Sequence, residues 1–282
     1  MNPAALLTEG PLALETAVGN VRFKVRANVE QKRLHAYSIY AHYLAMLVLE
    51  STSDLPRKEA RRDADAVRGE ITSEYGELNL ANALNYIWDL GIPVLPLHDP
   101  GAFHAACWRA AGRDIVVLKQ KKGSLSRWLF DLLHEFWHTG QKRDEVDRMV
   151  LQGEGMLFGV DQDEEEEANL FAGDVMLKGR AEELAKLCVE AAKGKVEYLK
   201  SVVPRVALSE GVSSSALANY MAFRLGLQKI NWWGTAENLQ ERDEDPFHLA
   251  CGILMARTDF SKLSPPDREL LLQATSNGEL DT

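Results

Sequence analysis

The spacing of apolar residues predicts three helices in the N-terminal third of the chain. Apolar side chains recur three and four positions apart over residues 29–51, and the polar stretch before Pro56 ends this first helix. A second, highly charged helix is predicted over residues 57–75, and its charge indicates an exposed position. A third runs from about Asn79 and ends at Gly91.

A different pattern follows and predicts a small sheet of about three strands. Two prolines interrupt the apolar run 92–97, which excludes a helix and predicts an edge strand. Residues 114–119 form the clearest strand of the chain, because they contain an unbroken run of branched apolar residues. Residues 103–110 can supply another short strand, closed by Gly112.

The next segment has the pattern of an amphipathic helix with a buried stripe. Its apolar positions recur at spacings of three and four: Leu125, Trp128, Leu129, Leu132, Leu133, Phe136 and Trp137. Ser124 or Ser126 can cap its start, and Gly140 can end it.

Beyond this helix the pattern is weaker until helices return. The glycine-containing segment after Gly140 is predicted to be a loop that holds at most a short helix. The acidic run 161–167 begins a new helix that continues through Leu177. One or two helices are predicted over residues 181–202, and Pro204 is predicted to break the chain.

The C-terminal part is predicted to be helical throughout. Residues 206–225 resemble a helix-turn-helix segment, and a last helix follows Pro265 and Pro266. We therefore divide the chain into a tail at 1–27, a core domain at 28–203 and a helical C-terminal region at 204–282.

Composition and charge exclude several classes of protein. The net charge of −10 argues against a surface that binds nucleic acid over its whole extent. Three widely spaced cysteines, Cys107, Cys188 and Cys251, indicate reduced thiols rather than a disulfide framework. No apolar run reaches the length of a membrane span, so we expect no membrane partner and a cytoplasmic location.

The chemistry suggested by the amphipathic helix lies at His134-Glu135-Phe136-Trp137-His138. Residues four apart lie on the same face of a helix, so the imidazoles of His134 and His138 can close on one metal ion. Glu135 can then act as the general base for a water molecule at that ion. The alternative is a helix with two ordinary surface or core histidines. A helix, a small sheet and a helix with H-E-x-x-H form the order expected of a minimal zincin core.

A catalytic zinc ion usually has three protein ligands, so a third ligand is expected. The apolar stripe of the helix after the acidic run faces inward, and stepping back along it reaches Glu164 and Glu165. Asn169, one turn after Glu165, could form a hydrogen bond to a ligand. The alternative is that these acidic side chains simply face water at a helix N-terminus.

Three further residues precede the helix that contains His134 and His138, and the evidence that they take part in the site is weaker. Cys107 could be a removable fourth ligand that keeps an enzyme latent, since a thiolate binds zinc strongly; the alternative is a small buried side chain. His98 or His104 could stabilise an oxyanion, although a solvated or core histidine is the favoured explanation for each.

Two motifs together resemble the signature of the ImmA/IrrE metallopeptidases, which are gluzincin-type enzymes associated with phage and DNA-damage repressors. They are His134-Glu135-x-x-His138 and Glu165-x-x-Ala168-Asn169-x-Phe171-Ala172. The resemblance implies that Glu165 completes the metal site. It further implies one Zn²⁺ per chain, with Mn²⁺ as the alternative, and a minimal gluzincin-like core in an α+β, mostly helical fold. Trp137 departs from the small residue common before the second histidine in that family, which affects substrate fit more than metal binding.

Two functions of different classes follow. The first, implied by the resemblance, is a zinc endopeptidase with Glu135 as its catalytic base. Its protein substrate would be a helix-turn-helix repressor, whose cleavage induces stress, phage or defence genes. The second is a non-proteolytic regulator that binds DNA or a repressor and keeps a structural metal, with residues 206–225 reading the DNA. Few basic residues besides Arg224 lie in that segment, so we favour a packing role for it.

Overall fold

We describe the protein from a computed structural model. The described residues are 29–98, 105–119, 123–153, 156–158, 162–241 and 244–276. The predicted tail at 1–27 and His104 lie outside them.

Helices dominate the described chain, and a small sheet lies between them. The helices before the C-terminal region are α1 (Val29–Ser51), α2 (Ala64–Tyr75), α3 (Leu80–Asp89), α4 (Leu125–His138), α5 (Gln162–Met176), α6 (Ala181–Ala191) and α7 (Val196–Glu210). They are followed by α8 (Ser214–Leu227), α9 (Trp233–Glu237), α10 (Pro246–Arg257) and α11 (Pro265–Thr275). The strands are β1 (Val94–Pro96), β2 (Ala105–Ala110), β3 (Arg113–Leu118), β4 (Arg148–Gly153) and β5 (Met156–Phe158). The predicted α+β, mostly helical class is confirmed.

The sheet has the strand order β1-β3-β2-β4-β5. Only β1 runs parallel to its neighbour β3, and the other pairs are antiparallel. In β2, Cys107 lies opposite Val116 of β3 on one side and Val150 of β4 on the other. The three predicted strands are present as β1, β2 and β3, and the predicted loop after Gly140 adds β4 and β5 to the sheet. Its strand β4 pairs with β2, which is distant in sequence. The pattern of apolar residues in the segment itself does not predict a strand.

Helices cover both faces of the sheet. Neighbouring residues of a strand point to opposite faces. The Trp108 ring lies against His42 of α1, with the ring centroids 5.5 Å apart. The next side chain, Arg109, reaches the other face and donates to the carbonyl oxygen of Thr139 at the end of α4, at 2.6 Å. The sheet therefore lies between α1 and α4, and its central strands are buried on both sides.

Three arginines add hydrogen bonds to the last carbonyl groups of α4, whose backbone partners are N–H groups of the turn that follows the helix. Arg62 donates to Phe136 O and Trp137 O, at 3.1 and 2.7 Å, and Arg148 donates to His138 O at 3.1 Å. Arg109 binds the next carbonyl, as described above. Gly140 makes room for the first contact, because a Cβ there would fall 1.4 Å from Cζ of Arg62. Positive charge at a helix C-terminus also opposes the negative end of the helix dipole.

Two predicted helices differ from the observed ones. The charged second helix begins at Ala64 rather than at residue 57, because Asp63 caps it by accepting from the backbone N–H of Ala66. It is also partly buried, through Val67 and Ile71. Pro204 does not break the chain but lies inside α7. The expected boundary between residues 203 and 204 thus falls within that helix.

The helix-turn-helix-like segment is formed by α7 and α8, joined at Gly211 in the left-handed conformation. Most of α8 is buried, including the continuous run from Ser215 to Ala222, and it packs against α4, α5, α6 and α7. A recognition helix must expose one face to enter a DNA groove. The burial of α8 is what a packing element requires. None of the described helices combines the length and the apolar character needed to cross a membrane.

Candidate metal centre

Three side chains from two helices meet at one buried point. Nε2 of His134 and Nε2 of His138 are 3.2 Å apart. The Glu165 carboxylate faces both rings, with Oε2 3.3 Å from His134 Nε2 and Oε1 3.3 Å from His138 Nε2. All three residues are buried, and among the described residues they form a group that could hold a metal ion.

The distances between these nitrogen and oxygen atoms suit a metal ion with tetrahedral coordination. Zinc binds nitrogen and oxygen ligands at about 2.0–2.1 Å, which places the ligands of a tetrahedral site about 3.3 Å from one another. The separation of 3.2 Å between the two nitrogens, and of 3.3 Å from each nitrogen to one of the two Glu165 oxygens, is close to that spacing. In addition, Glu165 Oε1 is buried and makes no hydrogen bond within the described structure. A buried acceptor left in this way is one that a cation can satisfy.

The local structure explains why these residues converge. His134 and His138 are one turn apart on α4, so their side chains leave the same face of the helix. On α5 the buried stripe contains Ala168, Phe171, Ala172 and Val175, and Glu165 lies one turn before its first member. Phe171 packs against Phe136 of α4, with the ring centroids 6.3 Å apart. This contact between the two helices brings the carboxylate to the imidazoles.

The protonation of these groups favours a cation. Burial alone would raise the pKa of Glu165, but the adjacent rings of His134 and His138 outweigh it and lower the pKa to about 2. Burial lowers the pKa of His138, and Glu165 opposes this effect only in part. The carboxylate is therefore ionised and the His138 ring neutral at pH 7, which are the forms that ligate metals.

Glu135, the predicted base, is fully buried next to this group, at 0% exposure. Neither carboxylate oxygen has a hydrogen-bond partner within the described structure. Burial, together with the negative charges of Glu165 and Asp131, raises the pKa of Glu135 well above its ordinary value. An unpaired buried carboxylate is costly, so its retention here is typical of a functional group.

A second carboxylate orients the His138 ring. Glu164 Oε1 lies 3.2 Å from His138 Nδ1, on the side of the ring away from the metal group. Arg148 of β4 holds this carboxylate through its guanidinium. Such a carboxylate fixes the tautomer of a ligand histidine and raises its basicity. The sequence pattern predicts that Glu164 faces inward but does not indicate this role. It also does not indicate Arg148, because the pattern of its segment predicts a loop.

Asn169 forms a hydrogen bond to the candidate ligand Glu165, but to its backbone and not to its carboxylate. Its side-chain amide donates to the backbone carbonyl of Glu165 at 2.7 Å, one turn earlier in α5, rather than to the carboxylate. In an α-helix this side chain can reach back to the carbonyl four residues before it. Asn169 therefore supports the helix that carries the ligand, and Glu164 is the residue that binds a ligand side chain.

We expect Glu164→Gln to weaken metal binding without abolishing it. The amide cannot accept a charge-assisted hydrogen bond from His138 Nδ1–H as a carboxylate does, and loss of such a partner typically lowers metal affinity by about 10–100-fold. Competition with a chromophoric zinc chelator measures this affinity. Glu167→Gln, an exposed position on the same helix, is the matched control. Equal affinities in the two variants would contradict the role assigned to Glu164.

Cys107 lies on the sheet face that is covered by α4, but it does not belong to the group that could hold a metal. It is buried, and burial followed by the charges of Asp114 and Glu135 raises the pKa of its thiol well above the ordinary value. A neutral thiol is a poor zinc ligand. The prediction of a removable fourth ligand is therefore not supported by the geometry. His98 is exposed, with its ring centroid 4.9 Å from that of Phe247, and is also outside the group.

Three observations on this chain support a metal centre: the spacing of the donor atoms, their burial, and the carboxylate behind His138. Comparisons of the chain with protein-family models, with curated proteins and with solved structures found no match.

Proposed function

We propose that the protein is a zinc-dependent endopeptidase. The observation that carries this proposal is the triangle of His134, His138 and Glu165 with the unpaired carboxylate of Glu135 beside it. A base within the same buried site has no purpose in a purely structural metal site. It has one in a hydrolase, where a water molecule must lose a proton.

Zinc is the metal that these donors favour. Two imidazoles and one carboxylate form a ligand set common among catalytic zinc sites, and the spacing suits tetrahedral coordination. Mn²⁺ is the alternative, although it prefers more oxygen ligands. When bound, the metal would supply Lewis-acid chemistry, polarising the scissile carbonyl and making water more acidic.

The number of protein ligands favours a catalytic over a structural site. Structural zinc sites are closed by four protein ligands, whereas catalytic sites have three and leave a position open. Cys107 was the candidate for a fourth ligand, and it is not part of the group. Three ligands among the described residues therefore fit a site at which a substrate or water can bind.

The side chains would divide the work as follows. His134, His138 and Glu165 hold the metal, and Glu164 with Arg148 keeps the His138 ring in place. Glu135 accepts a proton from the attacking water at its carboxylate and passes it to the departing amine. Burial raises the pKa of Glu135, so its carboxylate binds a proton more strongly than an exposed carboxylate would, as a general base requires.

The substrate we propose is a helix-turn-helix repressor, whose cleavage would induce stress, phage or defence genes. This part rests on the resemblance of the two motifs to the ImmA/IrrE metallopeptidases. The alternative is a regulator that binds DNA or a repressor without cleaving it. The buried α8 offers little support for direct DNA reading by residues 206–225.

Cleavage of repressors tests the proposal directly. We expect the zinc-loaded protein to cut a helix-turn-helix repressor encoded near its gene into fragments of defined mass, measured by mass spectrometry. Treatment with 1,10-phenanthroline should stop cleavage, and added zinc should restore it. An unrelated folded protein serves as the control substrate. Tight binding of a repressor with no cleavage under any metal condition would instead favour the non-proteolytic regulator.

A further inference from the structure

A second site candidate is a basic pocket where the segment before α2 meets the ends of α3 and α4. Its volume is about 220 Å³. Six cationic residues line it: Arg57, Lys58, Arg62, Arg109, Arg113 and Arg143. Among the described residues of the lining, Asp114 is the one carboxylate. This concentration of positive charge is unusual in a chain with a net charge of −10.

The carboxylates near the pocket do not neutralise it. Asp114 is engaged by Arg109, with Oδ1 2.8 Å from Nε. Glu59, outside the lining, is mostly exposed and lies 3.1 Å from the Arg143 guanidinium. Within the described structure Lys58 forms no close ion pair, although its charge acts on Asp89, and Arg57 donates only to the carbonyl of Gly112 at 3.3 Å. Four of the six cations, Arg57, Lys58, Arg62 and Arg113, therefore have no directly paired carboxylate within the described structure.

Buried donors of the pocket also lack acceptors. The Nε–H groups of Arg62 and Arg113 are buried and make no hydrogen bond within the described structure. Burial, followed by repulsion from Arg143, lowers the pKa of Arg62 to about 10. Burial and then Arg57 likewise lower the pKa of Arg113. Like charges held together in this way are destabilising unless an anion joins them.

We propose that this basic pocket binds a phosphoryl group. Guanidinium groups match the oxygen atoms of phosphate with paired hydrogen bonds, and five of the six cations are arginines. The volume of about 220 Å³ lies below the range of about 300–1,000 Å³ typical of sites for drug-sized ligands, which favours a small ligand. Free phosphate and the phosphate of a small metabolite share this chemistry.

The bound anion would act on the end of the metal-binding helix. Arg62 and Arg109 line the pocket and also hold the last carbonyl groups of α4. The free Nε–H of Arg62 can bind an anion without giving up the bonds from its Nη1 to Phe136 O and Trp137 O. Anion binding should therefore stabilise the folded chain. The inference does not depend on the proposed peptidase activity.

Thermal unfolding of the full chain tests the inference, with inorganic phosphate and AMP as separate probes. Chloride at equal ionic strength corrects for general screening of charge. We expect at least one probe to raise the Tm of the wild type above the chloride value. Arg57→Gln combined with Lys58→Gln should weaken the binding of that probe by about tenfold, because charged hydrogen-bonding partners are lost.

Arg57 and Lys58 are exposed, so their replacement should not prevent the chain from folding. Removing them relieves repulsion, so the Tm without phosphate should be unchanged or higher in the double variant. Lys186→Gln combined with Lys200→Gln, at exposed positions on α6 and α7, is the matched control and should respond as the wild type does. The probe that acts identifies the source of the phosphoryl group. A response to neither probe, or an equal response in the two double variants, would overturn the proposal.

Discussion

Glu135→Gln is expected to lower the rate of repressor cleavage by about 10²–10⁴-fold, the usual contribution of a general base. The amide keeps the shape of the side chain but cannot accept the proton of the attacking water. Glu135 is not one of the three grouped metal-binding residues, so zinc content should remain at one ion per chain. Initial rates of fragment formation and metal analysis of the same samples measure both effects.

The folded state of this variant provides an internal check. Glu135 is fully buried without a hydrogen-bond partner within the described structure, so its replacement by an amide of the same shape should not lower the Tm of the metal-free protein. Glu190→Gln, an exposed position on α6, is the control for loss of one negative charge. Full cleavage by Glu135→Gln would rule out this residue as the base, whereas a loss of zinc would show that it is a ligand.

Glu165→Ala is expected to have the largest effect on metal binding. It removes one of three ligands and leaves two imidazoles from one helix, so zinc affinity should fall further than the about 10–100-fold expected for Glu164→Gln. In the wild type, zinc at about 1,000 times its Kd should stabilise folding by about 4.1 kcal/mol. At the same zinc concentration that gain should fall below about 1.4 kcal/mol in the variant. Chelator competition and zinc-dependent shifts in Tm measure these changes.

Glu167→Ala is the matched control, because this exposed residue belongs to the same acidic run and the same helix. It should keep the zinc-dependent shift in Tm. A variant lacking Glu165 that still gained the full stabilisation would show that zinc binds elsewhere. The three-ligand centre would then be wrong, and the peptidase proposal with it.

The contrast between Glu165 and Glu164 shows what helical periodicity can predict about the candidate site and what it cannot. The apolar stripe of α5 identifies Glu164 and Glu165 as the inward members of the acidic run, and both lie against the histidines. Helical periodicity alone does not distinguish a residue that would bind the metal from a residue that orients a metal-binding side chain. That difference depends on which nitrogen of His138 each carboxylate meets, Nδ1 for Glu164 and Nε2 for Glu165.

The burial of α8 illustrates a different limit. Its sequence has the spacing of a helix-turn-helix segment, and such a segment can either bind DNA or pack within a core. Its nine buried residues place it in the core of this protein. A pattern of apolar positions predicts the helix and not the partner that covers it.

The sequence by itself determined the local features of the candidate site. Residue spacing within one helix is sufficient to place His134 and His138 on one face, with Glu135 beside them, because helix geometry is the same everywhere. It also determined α1, α3 and the three strands β1 to β3, whose patterns are strong.

Only the tertiary structure decided the features that join distant segments. They include β4 beside β2, the three arginines at the end of α4, the exclusion of Cys107 from the metal group, and the basic pocket. Each depends on the packing of side chains far apart along the chain. Periodicity describes which face of an element is buried, whereas packing decides what that face meets.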